Sequence, residues 1–269
     1  MSGFSANWLA LREPYDAKAR NVSVLDALAA AFEGRQSIAI VDLACGTGAT
    51  LRAIGARLPP VQHWRLVDND LGLLAQAAVL GRPPEVTVEA RAIDIDRDLE
   101  VALDGPLDLV TMSALLDLVS AEWLDRLVVE TAARRLPFYA ALNYDGRAEL
   151  DPAEPFDQEI IAAVNRHQRG NKGFGAALGP DAAKHAADTL ARVGYSVVQG
   201  GSDWEFGESD SAIQAEIVSG WADAARELGA LPAEPIAAWS KRRREVLVAG
   251  RSRLRVGHVD IFAAPIATR

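Results

Sequence analysis

The pattern of apolar and polar positions changes character near residue 38. Before it, Val22, Leu25, Leu28, Ala29 and Phe32 recur at helical spacing until Gly34. Ser5 is placed to cap one helix and Pro14 suits a first turn, so the stretch predicts two helices. From 38 onward, short continuous apolar runs alternate with helical segments, the pattern of a parallel sheet covered on both faces. Strands are predicted over 38–43, 64–67, 86–93, 107–112 and 138–143, with helices opening near Ala49, Leu71, Arg97 and Ala121. A repeat of about 25 residues of this kind needs right-handed crossovers and gives a doubly wound sheet.

The second half is less regular. A helix is predicted over 156–169, then a flexible loop in RGNKGFGAALGP, whose glycines fall at 170, 173, 175 and 179. A helix over 180–193 closed by Gly194, a strand over 195–199, helices over 211–228 and 235–249 and a last strand over 254–263 follow. The expected architecture is one α/β domain over residues 1–269. It comprises a helical cap (1–36), a ligand-binding half (37–144) and a second half (145–269) carrying a helical insertion (205–252).

Composition narrows what such a domain does. The formal charge of −9 has the wrong sign for a nucleic-acid partner. The one basic stretch, SKRRREVLVAGRSRLR at 240–255, reads as the solvated face of a helix end. No apolar run approaches the roughly 18–20 residues that cross a bilayer, and the opening MSGFSANWLALREPYD lacks the basic-then-apolar order of a signal peptide. A cytoplasmic protein without membrane partners is expected. One cysteine, Cys45, and four scattered histidines predict no metal site.

The candidate chemistry sits in VDLACGTGATL, residues 41–51. Glycines after a first strand let the backbone approach a ligand, because they have no Cβ and take positive φ. A dinucleotide fingerprint needs Gly-x-Gly-x-x-Gly, but Gly46 and Gly48 are followed by Leu51 at the third position. The segment resembles instead the first motif of class I S-adenosylmethionine-dependent methyltransferases, matched by Asp42, Ala44, Gly46 and Gly48, with alanine replacing the more usual first glycine. The resemblance covers about 38–144 and is echoed in LARVGYSVV and LRVGHVDIFAAP, which look like the passages into the family's sixth and seventh strands, the last antiparallel.

The resemblance implies S-adenosylmethionine as cofactor, S-adenosylhomocysteine as product, and a set of contacts. Asp42 would organise the methionine ammonium. Asp68, 22 positions after Gly46, would accept both ribose hydroxyls, with Asn69 beside it on ribose or adenine. Asp94 would accept the adenine amine while the Ile95 N–H meets the ring, or else Asp94 caps a helix. A backbone carbonyl of Met112 or Ser113 would lie near the ammonium, and Asp117 would line the acceptor pocket or cap the next helix.

No universal catalytic residue is required for methyl transfer, which depends chiefly on positioning. Trp8, Arg12, Tyr15 and Arg20 either cover the cofactor, with an arginine on its carboxylate, or form an aromatic core pair with surface arginines. Asn143 and Tyr144 fall at the carboxyl edge where such sheets bind ligands. Trp204, Glu205, Trp221 and Trp239 offer an aromatic acceptor pocket or ordinary core. His167, ahead of the glycine-rich loop, is the candidate base, its rival reading being a surface histidine. TMSALLD at 111–117 stands where amino-methylating nucleic-acid and protein enzymes carry Asn-Pro-Pro-Tyr or Asp-Pro-Pro-Tyr. With the acidic balance, this favours a small-molecule metabolite methylated on O, N or C. The alternatives are a non-catalytic S-adenosylmethionine-binding module and an NAD(P)-dependent oxidoreductase.

Overall fold

The computed structural model describes residues 4–79 and 83–266. Two helices, α1 (Ala6–Ala19) and α2 (Val22–Ala31), precede β1 (Ser37–Leu43). Ser5 caps α1 by accepting from the Trp8 N–H, and Asn21 caps α2 through the Val24 N–H. Pro14 does not open the second helix; it lies inside α1, and Asn21 makes the boundary instead. Proline inside a helix forfeits one backbone bond. Tertiary packing of Leu11, Tyr15 and Ala19 holds the helix continuous across it.

Then come α3 (Ala49–Ile54), β2 (Val61–Asp68), α4 (Leu71–Ala78), β3 (Val86–Ala92), α5 (Leu99–Ala102), β4 (Leu109–Ser113), α6 (Ala121–Ala133) and β5 (Phe138–Asp151). The chain continues through α7 (Asp157–Gln168), α8 (Ala182–Arg192), β6 (Tyr195–Gly201), β7 (Trp204–Phe206), α9 (Ser211–Leu228), α10 (Ala233–Val248) and β8 (Arg253–Pro265). The sheet order is β3-β2-β1-β4-β5-β8-β6, with β7 also on β8. The first five strands run parallel, and β8 is antiparallel to both β5 and β6. This is the doubly wound sheet that the pattern predicts, with the antiparallel last strand that the resemblance implies.

One apolar core joins this sheet to α2, α3 and α4, and a second joins its other face to α5, α6 and α8. The reversal of winding about β1 and β4 opens the carboxyl edge of those strands to a ligand. A third core was not legible. β5 does not stop at 143; it bulges between Tyr144 and Ala148, where Gly146 has φ 87°, and then pairs residues 148–151 with 253–256 of β8. Together with β7 this extension carries α7, α9 and α10 on an apolar core that includes Trp204, Phe206, Ile213 and Trp239.

The basic stretch is a solvated face at Lys241, Arg242, Arg244, Arg251, Arg253 and Arg255, all exposed, with one exception. Arg243 is 1% exposed and pairs with Asp157, which also accepts from Trp239 Nε1 at 2.8 Å. Arg242, Arg253 and Arg255 pair with Glu154, Glu208 and Asp203. The glycine-rich loop is not free. Leu178 N–H donates to Val119 at 2.8 Å, Phe174 bridges Val119 in the backbone, and its ring meets Trp123 edge-on at 5.2 Å. Among the described residues no helix is long and apolar enough to cross a membrane.

Candidate active site

The glycine turn is built by three bonds from backbone N–H groups. Cys45 N–H donates to Val67, Gly48 N–H to Cys45, and Gly46 N–H to Asp68 Oδ2, at 2.9 Å each. Gly46 (φ 54°) and Gly48 (φ 80°) take the left-handed conformation, and a Cβ on Gly46 would lie 3.2 Å from Leu9 Cδ1 of α1. Ala44, at the position of the family's first glycine, is forced to φ 51°. Three further non-glycine residues share that conformation: Arg135 after α6, away from this edge, Ala114 after β4 and Leu142 in β5. Ala44 and Ala114 follow the carboxyl ends of β1 and β4, and Leu142 lies just past the part of β5 that pairs with β4. Each costs about 1–2 kcal/mol, a cost that persists only where the surroundings impose it.

The three acids of the sequence differ in burial. Asp42 is fully buried; Oδ1 accepts from Thr111 Oγ1 at 2.8 Å and Oδ2 has no partner. Burial pushes its pKa up to about 7, against the opposing pull of the Thr111 hydroxyl and the Arg20 guanidinium. Asp68 ends β2 with one oxygen on Gly46 N–H and the other on Asp70 N–H, 2.9 Å each, leaving lone pairs on both for further donors. Asn69 beside it is exposed. Asp94 lies two residues beyond β3 and accepts from Asp96 N–H at 3.1 Å, so it closes a turn, whereas α5 begins after Asp98. The buried Ile95 gives its carbonyl to Trp123 Nε1 at 2.8 Å.

The two arginines of the cap separate. Arg12 is bound to Asp16 at 2.8 Å, and Asp16 also accepts from Trp204 Nε1 at 2.9 Å. The Arg12 guanidinium lies over Trp204, 4.7 Å from the ring centroid, and Trp8 meets the same ring edge-on. Arg20 is buried at the sheet edge: Nη1 donates to Tyr139 Oη at 2.9 Å, Nη2 approaches Ser113 Oγ at 3.4 Å, and Nε has no partner. Neither is a surface arginine. Tyr15 faces away, bonded to Asp210 and packed on Phe206. Met112 is fully buried, next to Ser113 at the end of β4.

Past β4 a short turn carries Asp117, 5% exposed. Oδ1 has no partner and Oδ2 meets Gln168 Nε2 only at 3.5 Å. Burial raises its pKa to about 6; its own turn's N–H and the Arg12 guanidinium act in the other direction. Asn143 spends Nδ2 on the Val259 carbonyl and leaves Oδ1 buried and unpartnered. Tyr144 donates to Asn165 Oδ1 at 2.8 Å.

His167 stands one layer behind, between Glu227 and Lys172. Of the aromatic set, Trp204 reaches this region, Trp239 is sealed beside Asp157, Trp221 packs in the third core and Glu205 is exposed. Sequence reasoning missed Thr111, His258 and Asp260. His258 is buried 4.7 Å from Trp204, ring to ring. Asp260 pins the Leu142 and Asn21 N–H groups at 2.7 and 2.9 Å. Their significance depends on pairing of β8 with β5, which no local signal gives.

Residues 40–136 match the family model of a methyltransferase domain. That stretch is similar to a methyltransferase domain, and the sheet order is that of a class I methyltransferase fold. No curated protein matches the chain. Among solved structures, a cyclopropane-fatty-acyl-phospholipid synthase-like protein from Lactobacillus casei superposes with a TM-score of 0.55 at 14% identity, covering 97% of this chain and 94% of that one. A mycolic acid cyclopropane synthase complexed with S-adenosylhomocysteine gives 0.49 at 13% identity over 90% and 83%. A methyltransferase from Thiobacillus denitrificans, also with S-adenosylhomocysteine, gives 0.46 at 15% over 97% and 99%. The first carries the comparison of folds.

The cofactor that this similarity implies is S-adenosylmethionine, and the residues fit it. An unpartnered carboxylate oxygen on Asp42 suits an ammonium, and an unpartnered guanidinium nitrogen on Arg20 suits a carboxylate. Asp68 retains acceptor capacity for two hydroxyls. Leu51 lies where a dinucleotide site needs glycine, and packs against the core of α2 and β2.

Proposed function

We propose that this methyltransferase acts on a small-molecule metabolite bound between the carboxyl edge of β1 and β4 and the lobe built on β5, β7 and β8. Asp42 and Arg20 hold the two ends of the amino-acid part of S-adenosylmethionine, Asp68 and Asn69 the ribose, and Asp94 with the Ile95 N–H the adenine. When bound, the sulfonium supplies an electrophilic methyl group, which bonds to an acceptor lone pair as the S–C bonding pair returns to sulfur. The chain's own task is to place the acceptor in line and keep water out.

The observation that carries this reading is the set of buried, unpartnered polar atoms on both sides of the strand ends: Asp42 Oδ2 and Arg20 Nε on the cofactor side, Asp117 Oδ1 and Asn143 Oδ1 on the other. Buried polar groups without partners are uncommon and mark where a ligand completes the bonding. Two sides in need of partners favour an enzyme over a module that only binds the cofactor. Calorimetry with S-adenosylhomocysteine and with NAD tests the cofactor, binding of the first alone being expected. Incubation with methyl-labelled S-adenosylmethionine and a metabolite extract tests the activity.

A further inference from the structure

We infer that Asp117 takes the proton from the methyl acceptor, and that the acceptor is an O–H or N–H compound rather than an unsaturated hydrocarbon chain. The inference rests on methyl transfer as the activity. Three groups near the acceptor side have the chemistry of a base. His167 Nδ1 lies 3.1 Å from Lys172 Nζ and Nε2 lies 3.0 Å from Glu227 Oε2. An ammonium only donates and a carboxylate only accepts, so both ring nitrogens are committed. His258 Nδ1 lies 3.1 Å from the Val256 carbonyl and must donate to it. Burial, reinforced by the Arg12 guanidinium, lowers its pKa to about 3, too weak a base for an ordinary acceptor.

Asp117 differs from both. Its Oδ1 is buried with no donor, and its turn packs against β5 beside the Tyr144 N–H. Asn143, fully buried on that strand, presents a second oxygen in the same condition. On this side the unsatisfied atoms are acceptors, so the missing ligand is a donor. An alkene would leave both oxygens desolvated and unpaired. The groups facing Asp117 are Arg12 from α1, Gln168 from α7, Lys172 from the glycine-rich loop and Tyr144 from β5, with His167 and Glu227 behind Lys172. Two cations favour the carboxylate and burial favours the acid, which leaves a base matched to neutral solution. As the acceptor atom bonds to the methyl carbon, its O–H or N–H proton passes to Asp117 Oδ1 and the bonding pair stays on the methylated atom. The resulting neutral acid releases the proton to water when product leaves.

Carbon-13 NMR of aspartate carboxyls in the protein saturated with S-adenosylhomocysteine, with Asp117→Asn as the assignment control, gives the first test. A resonance titrating near pH 6, and absent from the variant, is expected; a midpoint below about pH 4.5, near the ordinary aspartate value, overturns the assignment. The second uses methyl-labelled S-adenosylmethionine with two probes, a polar metabolite extract and vesicles of phospholipid with monounsaturated acyl chains. Label on O or N of a polar compound is expected, with a rate that falls tenfold per pH unit below about 6 and drops roughly 100-fold or more in Asp117→Asn. Label in the acyl chains, or in neither probe, overturns the inference. Calorimetry separates the two levels of failure. Absent binding of S-adenosylhomocysteine sinks the methyl-transfer reading itself, whereas intact binding with an undiminished Asp117→Asn rate sinks this inference alone.

Discussion

The two halves of the molecule hold themselves together differently. Residues 37–144 form parallel strands whose interiors are apolar and whose polar residues cluster at the carboxyl ends. The lobe after residue 144 is built on the extension of β5 against β8 and contains a sealed ion pair, Arg243–Asp157, at its centre. Polarity at a strand end can meet a ligand. Polarity in a sealed core must satisfy itself, and Asp157 does so with Trp239 and Arg243 together. One half leaves the Asp42 and Asp117 carboxylates short of partners; the other has spent its buried Arg243–Asp157 charges on architecture.

That contrast breaks most sharply at Arg243. Removing one partner of a buried pair strands the other charge, so Arg243→Ala should lose about 3–5 kcal/mol in urea unfolding. Hydrogen exchange should show α7, α9 and α10 losing protection while β1 and β4 keep theirs; uniform loss would mean the halves form one cooperative unit. On the ligand side, Asp68→Ala should weaken S-adenosylhomocysteine by about 1.5–3 kcal/mol, read by calorimetry, since it removes charge-assisted acceptors and the tie to Gly46.

Asp117 offers a test in stability. Its folded pKa of about 6 lies above the ordinary value of 3.8, so between those values the folded state binds more protons than the unfolded one. The penalty is absent below about pH 4 and complete above about pH 6, on the order of 3 kcal/mol. Asp117→Asn should therefore raise the thermal midpoint at pH 8 and change it little at pH 4. The smallest expected effect is Ala44→Gly, which relieves left-handed strain but adds unfolded-chain freedom, for a net gain of about 1 kcal/mol or less in denaturant unfolding.

Legibility followed the same division. Asp42, Asp68 and the strand order around them are encoded within one βα repeat each, where apolar runs and a terminal acid suffice. The choice between Arg12 and Arg20 depended on a helix boundary, and Pro14 pointed to the wrong one because packing against β7 overrides its lost backbone bond. The glycine-rich loop read as mobile from composition, yet Phe174 anchors it to Trp123. His258, Asp260 and the Arg243–Asp157 pair were invisible because each acquires its meaning from a partner 54 or more positions away. His167 had the right chemistry by residue type, and only its two occupied nitrogens argue against it.

The antiparallel β8 has a consequence for how the protein comes into being. It lies between β5 and β6, supports β7, and supplies Asp260 to both the Leu142 bulge and the start of α2. On the ribosome, the half built on β1 to β4 can emerge and condense well before residues 253–265 are made, but the lobe on β5, β7 and β8 cannot. Until then the nascent chain holds an unfilled slot in its sheet, open to any extended segment that fits. Chaperone demand, and the damage from truncation, should therefore concentrate on this one late strand.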